Sequence, residues 1–564
     1  MAVWGVNGNC AIPDGATALS MNVVSVNPSG ASYLTVFPAD EPRPLSSSLN
    51  WVGGQAPTPN AVTVAVSEDG RIAFYNNAGT VDLAVDVVGY YEPAGSEGGV
   101  PGPPGVDAPR PARVVSVASS GGDFTSVGEA LASIVDNSAA NPYLIEVAPG
   151  TYVEPAGIDL KDYVDIEGSG QAVTTISSSS AAVDNTTVRA AGVMHGEIRD
   201  LTIVNTAGGD VAVGLRITGT TPAAAFRVTN VTVNTTGTDV FIENNVGSNY
   251  GTYVQSADPI ITGLTTTAAY GRYAFAYINN GASPTMTDIT ATATGATFEN
   301  YGIFNQNAAS PDMADITANA TGLVNEDPAN WDLMFGPGAN YAVYNSGGAP
   351  IMTDIIATSS VAANSYGVFN NYSSPIMTNV TATGRGGVGY ANLESYGVYN
   401  LGGAPKMTDV AATADRAQQN YGVYNDSTTP TMTDVTATAA ADNFGDGVGV
   451  YNTNAALTMT NIVARGRVAV HNLSSTVTMT NVRAMGDHTS SSHGVLVDGG
   501  QVLIRDAFLS GTVLGSPSSA GHSVDVVSGA VKIFDSLFNG DTSGVGAANC
   551  VNAMTPTLAA YSCI

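Results

Sequence analysis

Apolar and polar positions alternate in short runs that recur along most of the chain. The run at 420–439 reads NYGVYNDSTTPTMTDVTATA. Its central pattern is a large apolar residue, any residue, then Asp, Asn or Gly, then usually an aliphatic residue. Copies extend from Ile198–Leu201 to Met479–Val482, with looser copies at Ile504–Ala507 and Ile533–Ser536. Thirteen copies at intervals of 20 to 39 residues indicate a solenoid in which each repeat forms one coil.

The repeats predict β-strands rather than helices. After the Asp or Asn, the chain reads VTATA and close variants, a strict alternation that is rich in Thr and Val. Helical spacing of the apolar residues is absent from these runs. The Asp or Asn predicts a sharp bend, because both residues tolerate the left-handed backbone region. Coils stacked about 4.8 Å apart would extend over roughly 58 Å of solenoid axis.

A second repeated element, Y-G-V-[YF]-N, precedes each Met. Its Asn lies seven residues before the Met in most copies and eight in one, whereas the interval from Met to the next Tyr varies from 14 to 28 residues. One corner of the coil is therefore fixed, and another carries insertions. We predict that the Met residues fill the core and that the Asn side chains form an internal hydrogen-bonded ladder, with a polar substrate track as the alternative. The ladder residues are Asn279, Asn305, Asn345, Asn370, Asn400, Asn425, Asn452 and Asn472.

The residue before each Asn is predicted to point outward, because the residue before that one is nearly always β-branched and inward. These outward residues form an aromatic stripe of Phe304, Tyr344, Phe369, Tyr399, Tyr424, Tyr451 and His471. An exposed stripe of rings usually marks a contact surface. A glycan, a partner chain or the insertion loops of the protein itself could cover it.

Outward Thr residues beside the Met column form regular arrays that resemble ice-binding surfaces. Ala314, Ile356, Ala411 and Arg465 interrupt these arrays. The interruptions favour the simpler interpretation that Thr suits exposed strands.

The rest of the chain divides into three regions. Residues 1–92 alternate like the short strands of a small antiparallel β-rich module. Residues 93–113 form a Gly/Pro-rich linker with a G-X-Y pattern too short for a collagen helix. Residues 114–564 begin with helical spacing of apolar residues, which predicts a helix at about 124–136. Repeated coils are expected at about 143–540.

Two resemblances follow from these segments. The succession DFTSVGEALASIVD, YLIEVAPGTYVE and DYVDIEGSG resembles the N-terminal cap and first coils of the pectin-lyase-like superfamily. It implies an all-β fold, a right-handed parallel β-helix solenoid with an N-terminal helical cap. The run IPDGATALSMNVVSVNPSG in the N-terminal module resembles a β-rich module repeated in secreted actinobacterial proteins, which implies an extracellular setting.

The charge composition argues against some classes of binding partner. Charged residues make up only 12% of the chain, and the formal charge is −29. Because Lys and Arg form no cluster, the sequence argues against nucleic acid and anionic membranes as partners. No run of about 20 apolar residues predicts a membrane span.

The cysteines and the first residues bear on secretion. Cys550 and Cys563 are a disulfide candidate, with two free thiols as the alternative. Cys10 is left over, and the resembling module normally has a further cysteine upstream. The start MAVWGVNGNC lacks the features of a signal peptide, so we expect that this chain begins inside a longer gene product.

Catalytic chemistry is weakly indicated. The local Asp, Arg and Gln motifs of pectin methylesterases are not found, and neither a phosphate-binding loop nor a metal signature is present, so no catalytic residue, metal or cofactor is assigned. Acidic residues that could meet across coils are Glu299, Glu394, Asp415, Asp442 and Asp446. Two further groupings are His195 with Arg199 and Asp200, and Asp487 with His488 and His493.

The sequence therefore favours a secreted or surface-displayed, non-catalytic β-helix binding or adhesion protein that contacts polysaccharide or cell-surface glycan. One alternative is a polysaccharide lyase or glycoside hydrolase, with sugar platforms at Tyr250, Tyr253, Tyr270, Tyr273 and Tyr277. The other is a trimeric fibre or tailspike-like protein, in which the chain would form a homo-oligomer.

Overall fold

The computed structural model describes residues 2–7, 10–91, 113–178, 183–206, 211–219, 226–237, 247–322, 338–387, 393–440, 446–488, 491–513, 521–545 and 549–554. The contacts divide the chain into two compact units, Met1–Asp107 and Ala108–Ile564. Of the predicted linker 93–113, only Arg113 lies among the described residues.

The first unit is built from antiparallel strands. They span Gly5–Asn7, Cys10–Ile12, Ala18–Val26, Ser32–Pro38, Leu49–Trp51, Thr58–Ala65, Ile72–Asn76 and Asp82–Tyr91. Ala18–Val26 lies at the centre of one three-stranded sheet and Ser32–Pro38 at the centre of the other. Alternate residues of these strands, such as Leu19, Met21 and Ile72, are fully buried and form a core of their own.

The second unit opens with a short helix and the first coils. Its strands span Arg113–Val117, Tyr143–Val147, Gly150–Val153, Ile158–Asp159, Val164–Gly168, Thr174–Ser178 and Thr186–Ala191, with a 3-10 turn at Val183–Asn185. The helix, Val127–Ser133, begins where the Ser126 side chain accepts a hydrogen bond from Glu129 N–H and ends because Ile134 is extended. It is shorter than the predicted segment at about 124–136, since Phe124 pairs with Val117 instead.

The repeated coils contain two kinds of strand that alternate along the chain. The aromatic strands carry the Y-G-V-[YF]-N element or its equivalent; they span Val211–Thr218, Ser248–Gln255, Tyr273–Asn280, Glu299–Gln306, Ala339–Ser346, Asn364–Asn371, Glu394–Leu401, Gln419–Asp426, Asp446–Thr453, Val468–Thr480, His493–Arg505 and His522–Phe534. The bent strands carry the Met repeat or its equivalent; they span Gly196–Asn205, Phe226–Thr236, Ile260–Ala269, Thr285–Thr294, Asp312–Thr321, Ile351–Ser360, Ile376–Arg385, Lys406–Asp415 and Thr431–Ala439. Shorter strands complete the last coils: Ala456–Thr460, Val463–Gly466, Arg483–His488, Phe508–Val513, Leu537–Asn539, Asp541–Ser543 and Cys550–Val551.

Each strand of the coils pairs in parallel with its equivalent one coil later, in register. Tyr301 pairs with Tyr341 and Asn305 with Asn345, for example. The second unit is therefore a parallel β-solenoid of about 14 turns, and the expected all-β solenoid fold is confirmed.

The predicted bend at the Asp or Asn of each repeat is confirmed. From Asp200 to Asn481, the non-glycine residues at this position have φ between 51° and 57°. This left-handed conformation lets Met313 before the bend and Ile316 after it both point inward, where they are 0% and 1% exposed. The repeated Met, Ile, Val and Ala side chains together fill one continuous core.

Cys550 forms a disulfide. Cys563, its predicted partner, lies outside the described residues, so the pairing stays a prediction. None of the helical segments among the described residues has the length and apolar character needed to cross a membrane.

Candidate functional site: a double file of aromatic rings

In the strands that carry two rings, a glycine or alanine between them turns both rings to the same outer side of the solenoid. In Glu299–Gln306, both Gly302 and Ile303 face inward, so the alternation of the strand is broken between them. A Cβ on Gly302 would lie 2.5 Å from the Ala342 carbonyl oxygen, which leaves no room for a larger residue. As a result, Tyr301 and Phe304 lie side by side, with ring centroids 4.9 Å apart.

Repetition of this arrangement produces two parallel files of rings. The first file contains Tyr250, Phe275, Tyr301, Tyr341, Tyr366, Tyr396 and Tyr421. The second file is the predicted aromatic stripe: Phe304, Tyr344, Phe369, Tyr399, Tyr424, Tyr451 and His471. Apart from Phe369, the second file is partly exposed, whereas Tyr301, Tyr366 and Tyr396 of the first are 5–8% exposed. Sequence reasoning missed the first file, although the glycine inside the repeat was a signal for the broken alternation.

Rings of the first file stack face to face along the solenoid axis. Tyr366 and Tyr396 are parallel, with an interplanar angle of 0° and centroids 4.8 Å apart. This distance equals the separation of neighbouring strands, so the backbone spacing itself sets a favourable stacking distance. The faces of these rings are consequently covered by one another, and the first file supports the fold.

Several rings of the second file are turned across the stack. Tyr344 makes angles of 69° with Phe304 and 67° with Phe369, and Tyr424 makes 80° with Tyr399. Tyr451 lies nearly parallel to Tyr424, at 22°. Tyr344 and Tyr424 are therefore turned away from the face-to-face arrangement with the ring one coil earlier. These rings are the part of the stripe best placed to contact another molecule.

Mostly polar side chains border the two files on both sides. One border consists of Glu299, Ala339, Asn364, Glu394, Gln419 and Asp446, and the other of Gln306, Ser346, Asn371, Leu401, Asp426 and Thr453. The hydroxyl of Tyr301 donates to Glu299 at 2.6 Å, and that of Tyr396 donates to Glu394 at 2.7 Å. On the other border, Asn371 donates to the Tyr344 hydroxyl at 2.9 Å. The borders thus fix the rings and present carboxylates and amides beside them.

Burial and nearby carboxylates hold the phenols in their neutral form. Burial, with smaller effects of Asp426 and Glu394, raises the pKa of Tyr399 to about 12. Burial also raises the pKa of Glu299 and lowers that of His471 to about 4, against the opposing effect of Asp498. At neutral pH, His471 therefore ends the second file as an uncharged ring.

Beneath the rings, the Asn side chains form one continuous chain of amide hydrogen bonds. All eight predicted ladder residues are 0% exposed. Each Nδ2 donates to Oδ1 of the next coil at 2.7–2.8 Å, from Asn279 through to Asn472. Only the ends lack partners among the described residues: Oδ1 of Asn279 and Nδ2 of Asn472. The ladder accounts for the invariant place of Asn in the repeat.

Side chains of the Met column accept hydrogen bonds from this ladder, a contact that the sequence analysis did not predict. The second N–H of Asn345 points to Sδ of Met352 at 3.5 Å, and that of Asn279 to Sδ of Met286 at 3.6 Å. A thioether sulfur is a weak acceptor, so it satisfies the amide while keeping the core apolar. The fixed interval between Asn and Met brings the two side chains together.

Substitution Met352→Leu should therefore lower the free energy of unfolding by about 1 kcal/mol, because Asn345 loses its sulfur acceptor. The matched control is Met459→Leu in the same column, since no hydrogen bond links Met459 to the ladder among the described residues. Guanidinium unfolding followed by circular dichroism would compare the two variants. Equal losses would mean that Met acts only by filling space.

Two of the five tyrosines of the alternative site, Tyr250 and Tyr253, lie together, with ring centroids 5.5 Å apart. The predicted surface position of Tyr277 is wrong. Tyr277 aligns with Ile303, is 0% exposed and lies in the core. Tyr250 stacks on Phe275 at 5.0 Å and belongs to the first file. Tyr253 accepts a hydrogen bond from Asn280 at 2.8 Å. Tyr270 lies at a turn with φ of 64°, and Tyr273 heads one polar border.

The predicted histidine groupings have other neighbours. His195 stacks on Tyr163 at 4.4 Å and approaches Asp162 at 3.3 Å, whereas Arg199 pairs with Glu167 and Glu197, both at 2.8 Å. Asp200 occupies the left-handed bend of its repeat. His493 lies 3.5 Å from Asp525 and stacks on His522.

The acidic candidates are also separated. Asp415 approaches Arg385 at 3.6 Å and Asp446 approaches Arg467 at 3.0 Å. Asp442 lies outside the described residues. In the described part of the chain, no group of three or more His, Cys, Asp or Glu side chains is arranged to hold a metal ion.

A cavity of about 400 Å³ lies on the first coils, away from the aromatic strands. Glu146, Glu167 and Ser169 are among the residues that line it. Because Arg199 binds Glu167 and Glu197 at once, this charged group is paired within the protein.

Comparisons with known proteins concern the fold alone. No protein-family model and no curated protein sequence matches the chain. Among solved structures, the A-module of mannuronan C-5 epimerase AlgE6 from Azotobacter vinelandii is 15% identical, covers 71% of this chain and 94% of its own, and gives a TM-score of 0.36. The catalytic unit of a GH87 α-1,3-glucanase from Streptomyces thermodiastaticus is 14% identical over 92% of this chain and 87% of its own, with a TM-score of 0.27.

Tailspike protein 3 of bacteriophage CBA120 is 10% identical over 74% of this chain and 57% of its own, with a TM-score of 0.31. At these identities and TM-scores, the likenesses support no assignment of activity.

Proposed function

We propose that this protein is a secreted or surface-displayed, non-catalytic solenoid that binds polysaccharide along its aromatic strands. The observation that carries the proposal is the double file of rings between two polar borders. Aromatic rings with a few oriented polar groups are the usual lining of a ligand site. Here the arrangement repeats at every coil from Glu299–Gln306 to Gln419–Asp426, which suits a ligand that is itself a repeating polymer.

The turned rings of Tyr344, Tyr424 and Tyr451 would contact the apolar faces of sugar rings. Carboxylates and amides of the borders, such as Glu394 and Asn371, would accept from and donate to sugar hydroxyls. Because the rings are already packed against their neighbours, little side-chain freedom would be lost on binding.

The spacing of the border carboxylates supports the non-catalytic part of the proposal. Glycoside hydrolysis needs two carboxyl groups about 5–9.5 Å apart. Glu299 and Glu394 are three coils apart, which corresponds to roughly 14 Å. Glu394 and Asp446 are two coils apart, or roughly 10 Å, and Asp446 is paired with Arg467.

The double substitution Tyr344→Ala and Tyr424→Ala should weaken glycan binding about tenfold, because each ring contact contributes about 0.5–1.5 kcal/mol. A glycan array would identify a ligand for the unsubstituted chain, and calorimetry would then compare the affinities. Release of reducing sugar from the same ligand would contradict the non-catalytic role.

The matched control is Tyr372→Ala, because Tyr372 is 71% exposed and lies outside both files. Thermal unfolding of each variant would show that the solenoid is intact. If the double variant binds as tightly as the unsubstituted chain, the contact surface lies elsewhere. If no glycan on the array is bound, the proposal fails.

A further inference from the structure

The aromatic face is acidic over its central coils. In the register from Glu299–Gln306 to Asp446–Thr453, the two files and their two borders contain no Lys or Arg among the described residues. They contain the carboxylates of Glu299, Glu394, Asp426 and Asp446. The ion pairs of the described residues include Asp446, which contacts Arg467, but neither Glu394 nor Asp426.

The two uncompensated carboxylates lie on the strands of the partly exposed rings of Tyr399 and Tyr424. Asp426 follows Asn425 on the strand of Tyr424, and Glu394 lies on the preceding strand beside Tyr396 and Tyr399. Both carboxylates contribute to the raised pKa of Tyr399, so their negative potential reaches the ring file. Ring faces are themselves regions of negative potential, and the two effects add.

The protein itself shows how this surface accepts a cation. At the N-terminal end of the files, the Arg272 guanidinium lies 5.2 Å from the Phe298 ring centroid and 5.5 Å from that of Tyr273. Two coils before the strand of Tyr273, Arg216 lies 5.3 Å from the Tyr253 ring centroid. These are cation–π contacts. Over the central coils, rings and carboxylates recur without an internal cation of this kind among the described residues.

We propose that the polysaccharide bound by this face is cationic, a polymer of 2-amino sugars whose amines are protonated. The inference rests on the proposed function and names its ligand class. Ammonium groups would lie between the turned rings and the carboxylates of Glu394 and Asp426. A uronate-rich polymer would instead meet like charge along the whole face of a chain whose formal charge is −29.

The test compares glucosamine and N-acetylglucosamine oligomers of equal length, at a mildly acidic pH where the amines of the glucosamine oligomer are protonated. We expect the amino oligomer to bind at least tenfold more tightly to the full chain. The double substitution Glu394→Gln and Asp426→Asn should weaken that binding about fivefold to tenfold at low salt, and added salt should reduce the difference.

The matched control is Asp409→Asn with Asp434→Asn. These residues lie at the bends of the other strands, where Asn379 and Asn461 already occupy the same place in neighbouring coils. The control removes the same net charge without touching the aromatic face. An equal loss of binding in the control would overturn the inference, because overall charge alone would then explain the affinity.

Two other outcomes separate this inference from the proposed function. Equal binding of the amino and acetylated oligomers, sensitive to Tyr424→Ala, would overturn the cationic ligand and leave glycan binding standing. Absence of binding to every glycan tested would overturn both. Polylysine binding as tight as that of the amino oligomer would overturn the sugar component of the ligand.

Discussion

Substitution Asn400→Val is expected to lower the free energy of unfolding by about 2–4 kcal/mol. The change removes the amide that accepts from Asn370 at 2.8 Å and donates to Asn425 at 2.8 Å. One donor and one acceptor are then left without partners in a fully buried column. Each such group costs about 1–3 kcal/mol, and the low dielectric of the core gives water no access to replace them.

The control for this experiment is Asn472→Val at the end of the ladder. Asn472 already has an unpartnered Nδ2, and the next coil has Val497 in the same place. The change therefore exchanges one unsatisfied group for another, that of Asn452, and should be nearly neutral. Guanidinium unfolding and limited proteolysis would compare the two variants, since a solenoid can open locally. A loss at Asn400 no larger than that at Asn472 would mean that the ladder contributes little.

The second large effect is expected for Gly397→Val, which should cost about 3 kcal/mol or more. A Cβ on Gly397 would lie 2.6 Å from both Gly422 O and Thr413 N. Both are backbone atoms, one of the next coil and one of the strand across the core, so neither can move aside cheaply. Overpacking of this kind usually costs about 1–3 kcal/mol even where side chains can adjust.

Gly338→Val is the control, because a Cβ there would meet the Phe298 ring only at ordinary contact distances of 3.5–3.6 Å. The comparison would use thermal unfolding and far-ultraviolet circular dichroism. Ala276, Ala342 and Ala469, which replace glycine at the equivalent place in three coils, show that a methyl group can be accommodated where the neighbours are built for it. Full stability of Gly397→Val would therefore show that adjacent coils can separate more easily than their spacing implies.

The fold could be predicted because its determinants repeat. The recurrent Asp or Asn identified the bend, and φ of 56° at Asp288 and 55° at Asp315 agrees with that interpretation. The fixed spacing of Asn and Met likewise places both side chains in the core of every coil. The length of the helix was less predictable, because Phe124 and Ile134 both fit the helical spacing but lie outside the helix. Phe124 pairs with Val117, and Ile134 is the extended residue that ends the helix.

The outer surface could be predicted only in part. Simple alternation from Ile303 would turn Tyr301 inward, whereas Gly302 allows two successive inward residues and brings Tyr301 beside Phe304. Tyr277 was assigned to the surface by its place among other tyrosines. Alignment on Asn279, two residues later, would have placed it in the inward column. Ring orientations, which distinguish Tyr344 from Phe369, depend on packing between coils and leave no trace in one sequence.

The amide ladder also gives the solenoid an electrical direction. Each bond runs from an earlier coil to a later one, so the carbonyl oxygens all point toward Asn279 and the N–H groups toward Asn472. Aligned amide dipoles add head to tail, as they do in a helix. The apolar interior therefore contains an extended dipole whose negative end is Oδ1 of Asn279 and whose positive end is Nδ2 of Asn472, and each added coil would lengthen it.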